Sequence, residues 1–308
     1  MALTVRGQFS DFFLETMKPM LERVIYAAYK QRPAEWVKIF DQDSTQASIY
    51  QTTTHSGVGL PTQIDEGQPV NFDSPMQGFD KTYKPVRYGG GIQVSQDLVE
   101  DDTKLRLAPK RGRMLSHSIR EAQEIQMASV FNNGFTTGTG PDGVVLFSAS
   151  HPLVKAGGVQ SNILSAAADL SNTSLELALI DYEGMLDSDG KQVRLPMPRI
   201  VVARQNRFAV AEIIESKDKS NTANRATNPL AYAEGGIPNW MVWHYLTDPD
   251  AWFLCAQPED TQLLVIWRRK PYTRSWFDED TETGKMAMRY KLDYGWSDFY
   301  GVYGTPGA

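Results

Sequence analysis

The segment MAMRYKLDYGW, Met286 to Trp296, alternates without a break. Met286, Met288, Tyr290, Leu292, Tyr294 and Trp296 fall on one side of an extended chain, and Ala287, Arg289, Lys291, Asp293 and Gly295 on the other. A period of two predicts a long strand with a single apolar face. At about 3.4 Å per residue it extends roughly 37 Å, well past an ordinary strand of five or six residues. The turn-like TETG, Thr281 to Gly284, lets the preceding SWFDED pair with it as a hairpin.

Upstream lie short apolar strands at Trp240 to Leu246, Ala251 to Ala256 and Leu263 to Trp267, after a polar stretch from Lys217 to Pro238 that reads as a loop. RIVVA, Arg199 to Ala203, predicts a buried strand, and Asn206 to Ser216 a short helix after it. Another helix is predicted from about Ser174 to Ser188, opened by the capping box Thr173-x-x-Glu176 and closed near Gly190. Leu175, Ala178, Leu179, Tyr182 and Leu186 form its buried face. Together these make a compact α/β region with its own core.

Nearer the N-terminus, a helix is predicted from Met114 to Asn132, with Leu115, Ile119, Ala122, Ile125 and Ser129 inward and Arg120, Glu121, Glu124 and Gln126 outward. Asn133 and Gly134 stop it, and TTGTGPDG follows as a turn cluster. The first forty residues read as a mobile or partner-docked arm. Its helix is striped by Phe13, Met17, Leu21, Val24 or Ile25, and Ala28, capped by Ser10 or Asp11, interrupted at Pro19 and ended by Pro33. Between Thr52 and Gly91, glycines and prolines interrupt Thr-rich strand-like pieces, SIYQTTTH and KTYKPVRY among them, with few large apolar residues at the tip. So long a segment with so little core of its own draws its order from neighbours.

A chain of 308 residues with 41% apolar and 22% charged residues folds, and is not a linker. No run approaches a membrane span, and MALTVRGQFSDFF lacks the form of a signal peptide. The single cysteine, Cys255, excludes an internal disulfide framework and a multi-thiolate zinc site. The four histidines, His55, His117, His151 and His244, have no metal-site spacing, and no cofactor motif is present. A net charge of −6 argues against a surface that grips nucleic acid throughout.

Gly89 to Gly91 lacks the Lys-Ser or Lys-Thr of a phosphate loop and reads as a turn or bulge. Cys255, in AWFLCA, reads as a small buried hydrophobe. Ser148 and Ser150 beside His151 are catalytic residue types without a nucleophile elbow, so a structural turn at His151-Pro152 is the better reading. The basic cluster Lys104, Arg106, Lys110, Arg111 and Arg113 follows Asp97, Glu100, Asp101 and Asp102 directly. That juxtaposition suits complementary charge across or within subunits. Arg268, Arg269 and Lys270 read as a solvated strand end.

The order of these parts, and several strings within them, resembles the major capsid proteins of tailed bacteriophages, the Hong Kong ninety-seven-type fold, and among them the Mu-like head subunits. The strings are YGGGIQVSQDLVEDD (Tyr88 to Asp102), LFSASHPL (Leu146 to Leu153), NTSLELAL (Asn172 to Leu179), LPMPRIVVA (Leu195 to Ala203), TNPLAY (Thr227 to Tyr232), LTDPDAWFL (Leu246 to Leu254) and RYKLDYGWSDFYG (Arg289 to Gly301). The resemblance implies an α+β fold with an N-terminal arm (1–48), an extended E-loop hairpin (49–86), a P-domain with a long spine helix (87–171), an inserted A-domain (172–267) and a C-terminal hairpin returning to the P-domain (268–308).

It further implies a non-enzymatic shell subunit that self-assembles into pentamers and hexamers and encloses double-stranded DNA in a virion built in the host bacterial cytoplasm. The chain starts directly with its arm, so scaffolding is expected from a separate protein, beside a portal. Subunit-interface candidates are Gly59, Pro61 and Gly67 in the loop, Lys81 and Lys84 at its base, and Arg106, Arg111 and Arg113 before the spine helix. Some relatives cross-link through an E-loop lysine, but nothing specific marks Lys81 or Lys84 for that chemistry. The alternatives are an encapsulin-like compartment shell and, from a different class, a soluble hydrolase using Ser150, His151 or Cys255.

Overall fold

A computed structural model describes residues 6–58, 60–70, 72–101, 106–218, 227–232 and 239–308. In chain order its helices are α1 (Arg6–Phe12), α2 (Lys18–Gln31), α3 (Gln96–Asp101), α4 (Leu107–Asn132), α5 (Asn172–Glu183) and α6 (Arg207–Glu215). Its strands are β1 (Asp41–Ser44), β2 (Tyr50–His55), β3 (Gln77–Tyr83), β4 (Val86–Ser95), β5 (His151–Pro152), β6 (Val159–Gln160), β7 (Arg199–Val202), β8 (Trp240–Val242), β9 (Trp252–Cys255), β10 (Leu263–Asp278), β11 (Thr283–Trp296) and β12 (Val302–Thr305).

The alternating segment forms β11, the centre of a sheet ordered β1-β10-β11-β4. Met286, Met288, Tyr290 and Leu292 are buried, as their period of two predicts. β10 takes in both the expected Leu263 to Trp267 strand and the hairpin arm, so the 267/268 boundary falls inside one strand. Against the inner face lies α4, which starts seven residues earlier than its apolar pattern suggests. Pro109 occupies its first turn, where backbone N–H groups lack intrahelical partners, so the missing donor costs nothing there. Gly89 to Gly91 is neither turn nor bulge but the in-register interior of β4, paired with Arg289, Met288 and Ala287. A Cβ on Gly90 would stand 3.2 Å from the Leu115 side chain, so the absence of one lets helix and sheet approach.

The arm is a correction. Phe9, Phe13, Met17, Leu21, Ile25 and Ala28 are buried within this chain, against α4 and the β10–β11 hairpin, so this stripe is covered without a partner. Helix runs from Arg6 to Gln31, passing through a π-turn at Phe13–Met17 where the Lys18 N–H bonds Phe13 O. The widened turn sets Pro19 in the first turn of α2, where its missing donor is tolerated. Ser10 and Asp11 therefore lie inside the helix and cap nothing at its start. Ser116 Oγ donates to Ile25 O at 2.9 Å, and the Arg120 guanidinium sits 3.7 Å over the Tyr29 ring while donating to Tyr29 O.

A second sheet, β12-β9-β7-β8, turns one face (Val201, Phe253, Cys255, Val302) to that core and the other (Ile200, Val202, Leu254, Tyr303) to a smaller one closed by α5 and α6. Ser171 caps α5 in a reciprocal pair with Ser174, in place of the expected Thr173–Glu176 box. The helix stops at Gly184, before Leu186, which instead bridges Gln192. β12 joins this second sheet, so the 268–308 segment contributes to both. The loop expected at Lys217 to Pro238 lies largely outside the described residues; Asp218 bridges Thr227, and Pro229–Tyr232 is a short 3-10 turn.

Gly284 faces Phe13 so closely that a Cβ there would lie 2.2 Å from the ring. Gly284→Ala should cost about 1–3 kcal/mol by overpacking and Phe13→Ala about 3–5 kcal/mol by leaving a cavity, measured by urea unfolding of the unassembled protein. Unchanged midpoints for both would separate the arm from the core.

Candidate assembly surfaces

β2 and β3 pair as the antiparallel base of a long hairpin. Ser297 Oγ fastens it to the end of β11, lying 3.0 Å from Thr52 Oγ1 and 2.9 Å from Tyr83 OH. Beyond the base, the tip has little cover: Val58, Leu60 and Val70 are exposed, and Phe72 is 90% exposed. Side chains of that size normally leave water on folding, so the tip is an exposed apolar patch and a candidate contact surface. The tip is held to its own chain by polar links, Lys155 Nζ to Asp73 Oδ2 at 2.8 Å and Lys191 Nζ to Val58 O.

The candidate interface residues divide between two ends of the molecule. Pro61 is exposed at the tip; Gly67 has φ of +84° in a turn closed by Gln68 N–H to Asp65 O, a backbone region that favours glycine; Gly59 lies outside the described residues. Lys81 is half-buried at the hairpin base, where burial lowers its pKa against the opposing pull of Asp293 and Asp142. Lys84 is exposed, and its backbone N–H donates to Asp293 Oδ2 at 2.6 Å. Arg106, Arg111 and Arg113 are exposed at the start of α4, with Arg111 bonding Gln93 O. Gln93 pairs with Lys285 at one end of β11, whereas Ser297 follows the other, so these arginines do not join the hairpin base in one site.

Leu177 and Ile180 on α5, and Phe208 on α6, are also exposed, the last at 82%. Leu177 and Ile180 stand off the buried stripe Leu175, Ala178, Leu179 and Tyr182, the one signal in the sequence that marks them. Glu124, expected on the outward face of its helix, is a correction. It is buried, accepting from Trp243 Nε1 at 3.0 Å and the Glu35 N–H at 2.6 Å, while Glu35 meets His244 Nδ1 at 2.8 Å. Burial raises the Glu124 pKa, opposed by the Trp243 and backbone hydrogen bonds. Gln123, buried beside it, accepts from Tyr29 OH at 2.9 Å. These polar contacts tie the arm, α4 and the second sheet together. The inward Ile125 of the sequence reading is in fact 57% exposed, because the contact face is rotated toward Gln123, Glu124 and Met127.

The hydrolase candidates do not assemble. Cys255 is buried in β9, where desolvation pushes its thiol far up and disfavours the thiolate. His151 is buried and stacked on Phe299, with Nδ1 2.6 Å from Asp142 Oδ2 and Nε2 3.2 Å from Leu146 O. Both ring nitrogens are thus engaged, while Ser150 Oγ sits 3.3 Å from Ser148 Oγ. Among the described residues no group of three or more His, Cys, Asp or Glu is placed to hold a metal. No described helix is long and apolar enough to cross a membrane.

A family model described as phage capsid protein matches residues 79–304. Among solved structures, the capsid of Ralstonia phage GP4 is similar at a TM-score of 0.57 and 12% identity, covering 87% of this chain and 87% of that one. A structure from Microbacterium phage Oxtober96 is similar at 0.56 and 12% identity, with 90% and 92% covered. A virus-like particle from Pyrococcus furiosus is similar at 0.52 and 10% identity, with 94% and 99% covered. No curated protein matches the chain. At these identities the likeness is one of fold, and it gives this α+β chain the capsid fold that the sequence strings resembled.

Beside the hairpin base, burial raises the Asp298 carboxyl to about 7, opposed by the Phe299 N–H and assisted by Asp142. The folded state therefore holds this proton more tightly than an unfolded chain, whose aspartates titrate at about 3.9. Its contribution favours folding at low pH and is lost as pH rises from about 4 to about 7. Asp298→Asn should raise the urea midpoint at pH 8 and leave it nearly unchanged at pH 4. A lower midpoint at pH 8 would mean that the ionised carboxylate is favourably held.

Proposed function

The chain belongs to the phage capsid protein family, and from that premise we propose that it forms pentamers and hexamers that tile into an icosahedral shell around double-stranded DNA. It is a capsid subunit of tailed-phage type, and its role is structural. The observation that carries the finer reading is the hairpin at 49–86, with a polar, well-bonded base and a tip whose apolar side chains lack cover. Laid over a neighbouring subunit, Leu60, Val70 and Phe72 gain the burial they lack in one copy. Leu177, Ile180 and Phe208, in the 172–267 segment proposed as the A-domain, are suited to contacts around a ring. Repetition in closed symmetry converts modest pairwise energies into a stable particle. A net charge of −6 suits a wall that encloses DNA without gripping it over its whole surface. Scaffold and portal are proposed as separate partners, and the virion, assembled in the bacterial cytoplasm, as the location.

A compartment shell holding protein cargo is the second reading, favoured by the likeness to the Pyrococcus furiosus virus-like particle. Nuclease protection and mass spectrometry of purified particles separate the two: protected DNA supports the phage head, a packaged protein the compartment. Deleting Leu60 to Pro75 should leave a folded subunit by circular dichroism and reduce particles seen in negative stain at least tenfold. Loss of soluble folded subunit would place the tip in the core, and normal particle yield would remove it from the interface.

A further inference from the structure

The outer face of the β1-β10-β11-β4 sheet carries a cleft of about 510 Å³ lined by Gln46, Arg87, Arg268, Arg269, Tyr272 and Lys291. Four of those six side chains are cationic and none is acidic. The register makes this a built feature: Arg269 pairs with Lys291, and Lys291 with Arg87, so three cations stand abreast on three adjacent strands. Neighbouring strands lie about 4.8 Å apart, and like charges directly opposite are destabilising. A regular strand would send Arg268 and Arg269 to opposite faces. The register shifts on either side of Arg269 instead leave both exposed and lining the same cleft. Among the described residues none of the four makes an ion pair. Of the four carboxylates on the same sheet, Asp41 accepts from the Gln42 N–H, Asp43 from Tyr50 OH and Asp293 from the Lys84 N–H, while Asp278 meets Lys285. The Tyr272 phenol registers the resulting field: its pKa is lowered, first by the Arg269 hydrogen bond and then by the charges of Arg269, Arg289 and Arg87.

We propose that this cleft receives the acidic turn of the β10–β11 hairpin, Glu279 and Asp280, from a second copy of the chain. The proposal rests on the shell reading and names one of its contacts. Glu279 and Asp280 are exposed at the far end of the same hairpin, whereas the neighbouring Lys285 is engaged by Asp278. From Lys291 back to Thr283 is eight residues along β11, or about 27 Å at about 3.4 Å per residue. That exceeds the screening length of about 8 Å at physiological salt, so turn and cleft of one copy do not compensate each other. Joining turn to cleft between copies is head-to-tail, the kind of contact that propagates into rings. Each arginine guanidinium can also match a carboxylate with two parallel hydrogen bonds.

The test is charge exchange in the full chain, with particles counted by negative stain and sedimentation and folding checked by circular dichroism. R268E with R269E, and separately E279K with D280K, should each reduce particle yield at least tenfold while the subunit stays folded. Combining all four should restore yield to within about threefold of wild type. The neutral pair R268Q with R269Q provides a milder variant should the reversal not fold, and is expected to reduce yield severalfold. Wild-type yield from either reversal, or no rescue in the combination, overturns the contact. Basic reversals that assemble normally but enclose less nucleic acid would assign the cleft to DNA phosphates and also overturn it. Wild-type particles indifferent to every variant fault this contact and keep the shell; small open oligomers lost in both reversals fault the shell and keep the contact; a strictly monomeric wild type overturns both.

Discussion

The structure depends on the burial of one helix from several directions. α4 lies between the inner face of the long sheet, the helices of the arm and an edge of the second sheet. Its apolar residues Leu115, Ile119, Met127 and Phe131 enter one continuous core. Polar residues on the same helix are committed as firmly: Ser116 and Arg120 to the arm's backbone, Glu124 to Trp243. Buried polar groups are costly unless bonded, so these pairings fix the rotation of the helix as well as its position. Phe131 meets Phe40, Trp243, Phe147 and Phe253 with ring centroids between 5.1 and 6.1 Å, gathering residues far apart in sequence at the helix's end.

Where a local period exposes one face to the core, sequence and structure agree. β11 is the clearest case, and the arm stripe from Phe13 to Ala28 is another. A period identifies the buried face without saying what covers it, which is why the arm read as an appendage. The missing signals are small residues on distant segments, Gly112 opposite Ile25 and Gly284 opposite Phe13. Gly89 to Gly91 misled for the same reason: glycine is read locally as a turn, whereas here close approach of α4 decides. Glu124 looked like a solvent position because its partner, Trp243, stands more than ninety residues away.

The candidate surfaces were legible unevenly. A tip short of core residues marks itself in the sequence, and so does the Arg106 to Arg113 cluster. The basic row does not, because Arg87, Arg269 and Lys291 come together only through sheet register and a bulge. Taken as a whole, the molecule separates two tasks. Its cores are closed within one chain, arm included, while the hairpin tip, the outer sides of α5 and α6, and the basic cleft remain turned to solvent. On the shell reading this lets a subunit fold before it assembles, leaving interface energy for association alone.

Hydrogen–deuterium exchange on the unassembled subunit and on purified particles tests that separation most directly. The account predicts strong protection of α4, β10, β11 and the arm helices in both states, with residues 60–70 and the strand segment around Arg269 gaining protection only on assembly. An arm that exchanges freely in the unassembled subunit, or a tip equally protected in both states, would contradict it.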